Sequence, residues 1–282
     1  MSKTKIELNT ILKLFEIFTN KKWIEIAGYE ESLSRFGELI DNLKGEQIEL
    51  ILELTERYRW FSLNEYHSQL RILLKKLHKD YLTGINKVYL FPIIKPKDEF
   101  DTKSGHAVMY MLDSIKPSLA EYTDIKFIKL NGFEDLASET LNIKEGEILL
   151  LVDDFIGSGG TLNSTLDEIE KNDSIKENFA ILSVMIQEET MQSLSEKQIR
   201  IIIGESTKKG ISNFYEGEDL DNKALIMTEI ERLIPKVKNY RFGFEKSEAL
   251  VTMAKTPNNT FPIFWKDFQK KGKLYKAPFA RY

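Results

Sequence analysis

The chain has 282 residues, 42% of them hydrophobic and 30% charged, a balance that excludes a disordered chain. That length suffices for one large domain or two modest ones of roughly 100–200 residues each. The 40 Lys and Arg against 44 Asp and Glu leave a formal net charge of −4, so no global field draws the protein to a phosphate polymer or an anionic membrane, and direct nucleic-acid binding is not evident.

Without cysteine there is no disulfide and no thiolate nucleophile, which suits a reducing compartment, while His67, His78 and His106 are too scattered to form a metal cluster by spacing. Lys3, Lys5, Glu7, Lys13 and Glu16 interrupt the apolar character of Met1 to Asn20, so this stretch does not read as a signal peptide. Nowhere do 18 apolar residues run together, and no membrane association is expected. The expected location is cytoplasmic.

Residues 1–85 read as a helical N-terminal region. Leu8, Ile11, Leu12, Phe15 and Phe18 recur at helical spacing, as do Leu33, Phe36, Leu39, Ile40 and Leu43. Ser62 with Glu65 three residues on forms a capping box, opening a helix whose Tyr66, Leu70, Leu73, Leu74 and Leu77 share a face. These stripes read as core packing.

From Lys87 the period changes. KVYLFPII is a short β-rich run, followed by a charged loop to Gly105 and a helical HAVMYMLDSI. IKFIKL (125–130), EILLLV (147–152), FAILSVMI (179–186) and RIIIG (200–204) are further strand candidates, mostly separated by helical stretches. Continuous apolar runs such as ILLLV are what a parallel strand buried on both faces requires. A helix over Asp221 to Ile234 precedes an aromatic, Pro-containing tail whose Phe261, Phe264, Trp265, Tyr275 and Phe279 are expected to pack back on the α/β core. The pattern predicts an α/β domain over 86–282 with a C-terminal aromatic cap.

The chemistry concentrates in ILLLVDDFIGSGGTL, residues 148–162. In an open parallel sheet, ligands sit outside the carboxyl ends of the strands, where this reading puts Asp153 and Asp154. Two adjacent carboxylates there can accept hydrogen bonds from vicinal hydroxyls or hold a divalent cation. Gly157, Ser158, Gly159, Gly160 and Thr161 follow, freeing backbone N–H groups and adding hydroxyl donors, and the next helix brings the positive end of its dipole to the same place. A bare βα connection is the plainer alternative. A Walker A loop is disfavoured because Gly160 stands where Lys is needed, and a dinucleotide fingerprint because the acids precede the glycines.

The order apolar strand, Asp-Asp, two residues, G-S-G-G-T resembles the signature of the type I phosphoribosyltransferases, which bind phosphoribosyl pyrophosphate (PRPP). The resemblance implies a parallel-sheet type I phosphoribosyltransferase-like core. It also implies that Gly157 to Thr161 hold the 5′-phosphate, that Asp153 and Asp154 hold the ribose hydroxyls, and that Mg²⁺ is carried in with PRPP. Lys103, ahead of Ser104 and Gly105, stands by position where that family approaches pyrophosphate, and is counted with Asp153 and Asp154 as a catalytic candidate. His106 reads as a helix-start residue.

One departure is plain: many purine-specific members carry an acid, thought to act on the incoming base, where this chain has Gly157. SEALVTMAKTPNNTFPIFW and the closing APFARY are similar to phosphoribosyltransferase-like proteins of bacterial anti-phage and other conflict systems, including some retron operons. That resemblance implies a PRPP-dependent glycosyltransferase acting in defence beside other proteins or a ribonucleoprotein, with Thr256, Asn258 and Asn259 bordering a base pocket. The alternative is a non-catalytic PRPP or nucleotide sensor, or a regulatory subunit of a defence complex. Acceptor, trigger and oligomeric state stay open.

Overall fold

The computed structural model describes residues 8–281. Met1 to Glu7, with the Lys3, Lys5 and Glu7 of the leader reading, and Tyr282, which closes APFARY, lie outside the described residues. In chain order the elements are α1 (Leu8–Asn20), α2 (Tyr29–Asp41), α3 (Gly45–Arg57), β1 (Arg59–Trp60), α4 (Leu63–Tyr81), β2 (Lys87–Pro92) and α5 (Ser104–Ile115). There follow β3 (Lys126–Lys129), β4 (Glu147–Ile156), α6 (Gly160–Ile169), β5 (Phe179–Gln187), α7 (Glu188–Glu196) and β6 (Ile201–Thr207). The chain closes with α8 (Gly217–Glu231), β7 (Val251–Thr252), β8 (Phe268–Lys270) and β9 (Lys273–Tyr275). No described helix is long and apolar enough to cross a membrane.

The described residues form two compact units, one over Leu63–Thr207 and the other combining the residues up to Ser62 with those from Lys208 onward. The divisions fall after Ser62 and Thr207, where the sequence suggested a single division after residue 85. The stripe of α4 marks it as amphipathic, but a helical period does not say which layer a helix covers; α4 packs on α5, β5 and β6.

In the unit Leu63–Thr207, five parallel strands make one sheet in the order β3-β2-β4-β5-β6. This is the α/β architecture read from the sequence. Its centre is β4, whose Leu149, Leu150, Leu151 and Val152 are fully buried, as a strand covered on both faces demands. The chain runs from β2 to β3 on one side, then returns across β2 to place β4 on the other. The winding therefore reverses between β2 and β4, and an open sheet forms its ligand crevice at the carboxyl ends of such a pair.

The two edges of β4 end differently. Pairing with β2 stops at Pro92 opposite Val152, whereas pairing with β5 continues to Ile156 opposite Ile186. Asp153 and Asp154 thus lie inside β4, four to three residues short of its loop, and not just past its end as the apolar run suggested. Because strand side chains alternate, Asp154 shares a face with Leu150 and Val152, and Asp153 shares the opposite face with Leu149 and Leu151.

In the other unit, α1 to α3, α8 and the C-terminal tail enclose one apolar core. Phe279 stacks on Tyr58 at 4.8 Å and meets Trp23 and Phe36 edge-on at 5.9 and 5.6 Å. β1 and β7 pair in parallel, Arg59 opposite Val251. The tail was expected on the α/β core; Phe261, Phe264 and Phe279 are instead buried in the cluster formed with the N-terminal helices, and Tyr275 packs against it. Aromatic bulk requires a core, and composition alone does not say which one.

Candidate functional site

At the switch between β2 and β4, the two acids are almost closed off from solvent, Asp153 at 9% and Asp154 at 4% exposure. Burial, then the neighbouring Asp154 charge, pushes Asp153 well above the usual carboxylate range. Burial also raises Asp154, while hydrogen bonds from Ser104, Tyr66 and the Phe155 N–H pull it part of the way back. The pair is therefore held where shedding both protons is costly, and where a cation or a set of hydroxyl donors would relieve it.

Three elements deliver the donors. Ser104, first residue of α5, donates its hydroxyl to Asp153 Oδ1 at 2.6 Å, and the Asp154 N–H reaches the same oxygen at 2.9 Å. α5 comes this close because residue 105 is glycine: a Cβ there would stand 2.8 Å from the Val152 carbonyl oxygen and 2.8 Å from Pro92 Cβ. From α4, the buried Tyr66 directs its phenol at Asp154; burial first, and then the two aspartate charges, hold that phenol in its protonated, donating form.

Beyond Ile156 the chain turns through Gly157, Ser158 and Gly159 into α6. Gly159 adopts φ +82°, a left-handed conformation that glycine takes without strain, and a Cβ on it would lie 3.2 Å from Thr190 Cγ2. Thr190, in the first turn of α7, donates its hydroxyl to the Gly157 carbonyl at 2.6 Å and so braces the turn. α6 begins at Gly160, and the first residues of any helix, here Gly160, Thr161 and Leu162, have N–H groups with no intrahelical acceptor. Thr165 donates to the Ile94 carbonyl at 2.8 Å, tying α6 to the segment that follows β2.

Lys103 sits beside Ser104, but its ammonium faces loop acids, 3.0 Å from Asp101 and 3.7 Å from Asp98. Its backbone N–H donates to His106 Nδ1 at 3.2 Å, which gives His106 the helix-start role that the sequence suggested. In the other unit, the Thr256 hydroxyl donates to the Phe279 carbonyl at 3.0 Å, and the Asn258 and Asn259 carbonyls accept the N–H groups of Phe244 and Ala249 at 2.9 and 3.1 Å. These groups are committed to holding the C-terminal chain. Among the described residues, no three His, Cys, Asp or Glu side chains converge to hold a metal ion.

Two contributors were missed from the sequence. Tyr66 was read only as part of an apolar stripe, although a tyrosine buried at its ring usually finds a partner for its hydroxyl. Thr190 carried no signal, because its partner is a backbone carbonyl 33 residues away.

The chain belongs to the PRTase-CE family, whose model matches residues 38–281. Among solved structures it is similar to a hypoxanthine-guanine phosphoribosyltransferase from Schistosoma mansoni in complex with IMP, at 12% identity and TM-score 0.33, over 51% of this chain and 63% of that one. It is also similar to a hypothetical protein from Neisseria gonorrhoeae with bound ppGpp, at 12% identity and TM-score 0.36, over 61% of this chain and 97% of that one. A hypoxanthine-guanine phosphoribosyltransferase from Bacillus anthracis matches at 15% identity and TM-score 0.33, over 54% of this chain and 83% of that one. No curated protein matches the chain.

Proposed function

We propose that this protein binds PRPP, or a related phosphoribosyl nucleotide, at the carboxyl end of β4 and acts on it as a PRPP-dependent glycosyltransferase. One observation carries the reading: a buried carboxylate pair with raised pKa values stands at the sheet's switch point, a few residues before a Gly-rich turn into a helix. The pair suits two vicinal ribose hydroxyls, whose O–H groups can donate to the remaining lone pairs of the carboxylates. Backbone N–H groups of the turn and of the first turn of α6, with the Ser158 and Thr161 hydroxyls, suit a 5′-phosphate.

Asp153 and Asp154 also fit a divalent cation whose remaining ligands come from the substrate, since two carboxylates alone do not complete a coordination shell. Mg²⁺ arriving with PRPP would neutralise the departing pyrophosphate. Lys103 would exchange Asp98 and Asp101 for that pyrophosphate, a stronger anion, while the turn and the acid pair fix the ribose for in-line departure.

Gly157 offers no carboxylate to an incoming base, and general acid–base help is typically worth about 10²–10⁴-fold. The favoured acceptor is one that needs little proton removal, or water. The same glycine favours a second reading, a sensor that binds PRPP without turning it over. Incubation with PRPP, Mg²⁺ and a panel of bases and nucleosides, followed by pyrophosphate release, separates the two: release supports the enzyme, binding without release supports the sensor, and no binding ends both. The sequence resemblance extends the proposal to an effector of anti-phage defence, cytoplasmic and working with protein or ribonucleoprotein partners. Loss of phage protection on Asp153→Ala, in cells carrying the gene with its neighbours, tests that extension.

A further inference from the structure

We infer that the exposed apolar face of α1 is the contact between two copies of this chain, packed antiparallel about a two-fold axis. The inference is independent of the reading of Asp153, Asp154 and the 157–161 turn. Leu8, Ile11, Leu12 and Phe15 belong, with Phe18, to the stripe that the sequence assigned to core packing, yet these four are between 46 and 69% exposed. The core that α1 shares with α2 and α3 takes Leu14, Ile17 and Phe18 instead. Single exposed apolar residues are common on protein surfaces, whereas a contiguous apolar patch marks an interaction site.

At about 100° per residue, Leu14, Ile17 and Phe18 fill one arc of α1, and Ile11, Phe15, Leu8 and Leu12 fill an adjoining arc about 100° wide. Thr19 is the one polar residue within that second arc, and its hydroxyl turns back to the Phe15 carbonyl at 2.9 Å. Asn9, Lys13, Glu16 and Asn20 occupy a stripe only about 60° wide. A surface helix needs one apolar stripe to meet its core, and α1 carries twice that width. It is built to be covered on two sides.

A second copy of the chain fits this face. The order of its four residues along α1 has the same spacing read from either end, so in an antiparallel pair with the two-fold axis midway between Ile11 and Leu12, Leu8 of one copy meets Phe15 of the other and Ile11 meets Leu12. Such a contact is self-complementary, as a closed dimer requires, and the opposed helix dipoles favour it. At these exposures the four side chains present roughly 400 Å² of apolar surface. A standard interface buries about 800 Å² per partner, a little over half of it apolar, so the face supplies most of the apolar area that a stable dimer needs. An anionic membrane is a poorer fit, because the polar stripe carries one Lys and one Glu, and Lys13 already pairs with Glu56 of α3 at 3.5 Å.

The test uses the full chain in analytical ultracentrifugation. At about 20 μM the wild type should sediment with twice the mass of one chain, reporting a Kd of about 1 μM or tighter. Leu12→Glu should sediment as a monomer, self-association having weakened by more than about 100-fold, with an unchanged melting temperature because Leu12 is more than half exposed. The chain has no cysteine, so introduced ones report the register. Leu8→Cys and Phe15→Cys chains should each form little disulfide-linked dimer alone, and form it readily when mixed and oxidised. A monomeric wild type overturns the inference, whatever lipid vesicle or other protein the face then binds. A dimer that Leu12→Glu leaves intact overturns it too, as does one in which each cysteine chain cross-links to itself and mixing adds nothing.

Discussion

Glu248, buried in the unit that carries the aromatic tail, receives the N–H groups of Ile211 and Ser212 at 2.8 Å each and the Ser212 hydroxyl at 2.5 Å. Asp153 and Asp154, equally buried in the sheet unit, share the Ser104 hydroxyl, the Tyr66 phenol and a few backbone N–H groups, and face each other's charge. At Glu248 the three donors offset the cost of burying the charge. The aspartate pair is satisfied enough to stay in place and yet left with repulsion that a ligand can remove. Such stored destabilisation is expected of a binding site, because a well-satisfied pair would have nothing to gain from ribose hydroxyls or a cation.

The sharpest way to break this contrast is to delete the pair. Asp153→Ala with Asp154→Ala should reduce PRPP affinity by more than about 1,000-fold, or about 4 kcal/mol, with the melting temperature retained. Calorimetric titration beside a thermal melt checks both halves, and an affinity equal to wild type would remove the site assignment. Glu248→Ala should do the reverse to stability: three donors lose their acceptor, and unfolding free energy should fall by about 3 kcal/mol in denaturant titration.

Gly159→Val tests the turn. A β-branched side chain must take up φ +82° with its Cβ only 3.2 Å from Thr190 Cγ2, costing about 2 kcal/mol of stability, and the distorted turn should weaken PRPP binding. Normal PRPP binding by this variant would make the turn a connection and nothing more.

The smallest effects concern pH. A carboxylate whose folded pKa is raised binds its proton more tightly folded than unfolded. Its contribution is full below the unfolded value of about 4 and is lost as pH rises through the folded one. Asp153 behaves so, and so does Glu231 of the other unit, which burial pushes up to about 8 against the pull of the Phe242 N–H. Wild-type stability should accordingly decline between about pH 4.5 and 8. Asp153→Asn should raise stability at pH 7 by about 1 kcal/mol, a typical single-residue effect, and Glu231→Gln should flatten the decline toward pH 8. Urea titrations across that range measure both; a wild-type profile without the decline would contradict the raised values.

Much was legible without coordinates. ILLLV announces a strand buried on both faces because only apolar side chains tolerate both layers of a parallel sheet, and the glycine at 159 announces a turn because its backbone takes a left-handed angle. Helical stripes likewise located α1, α2 and α4, since a 3.6-residue period follows from local geometry alone. Tertiary structure decided what these elements meet. Whether α4 would cover the sheet, whether the tail would join the helices, and whether Tyr66, Ser104 and Thr190 would gather around residues 153–159 depend on contacts between residues far apart in the sequence, 33 positions for Gly157 and Thr190 and many more for Tyr58 and Phe279. Periodicity ends with the element, and the placing of a hydroxyl against a buried carboxylate is settled only when whole layers pack.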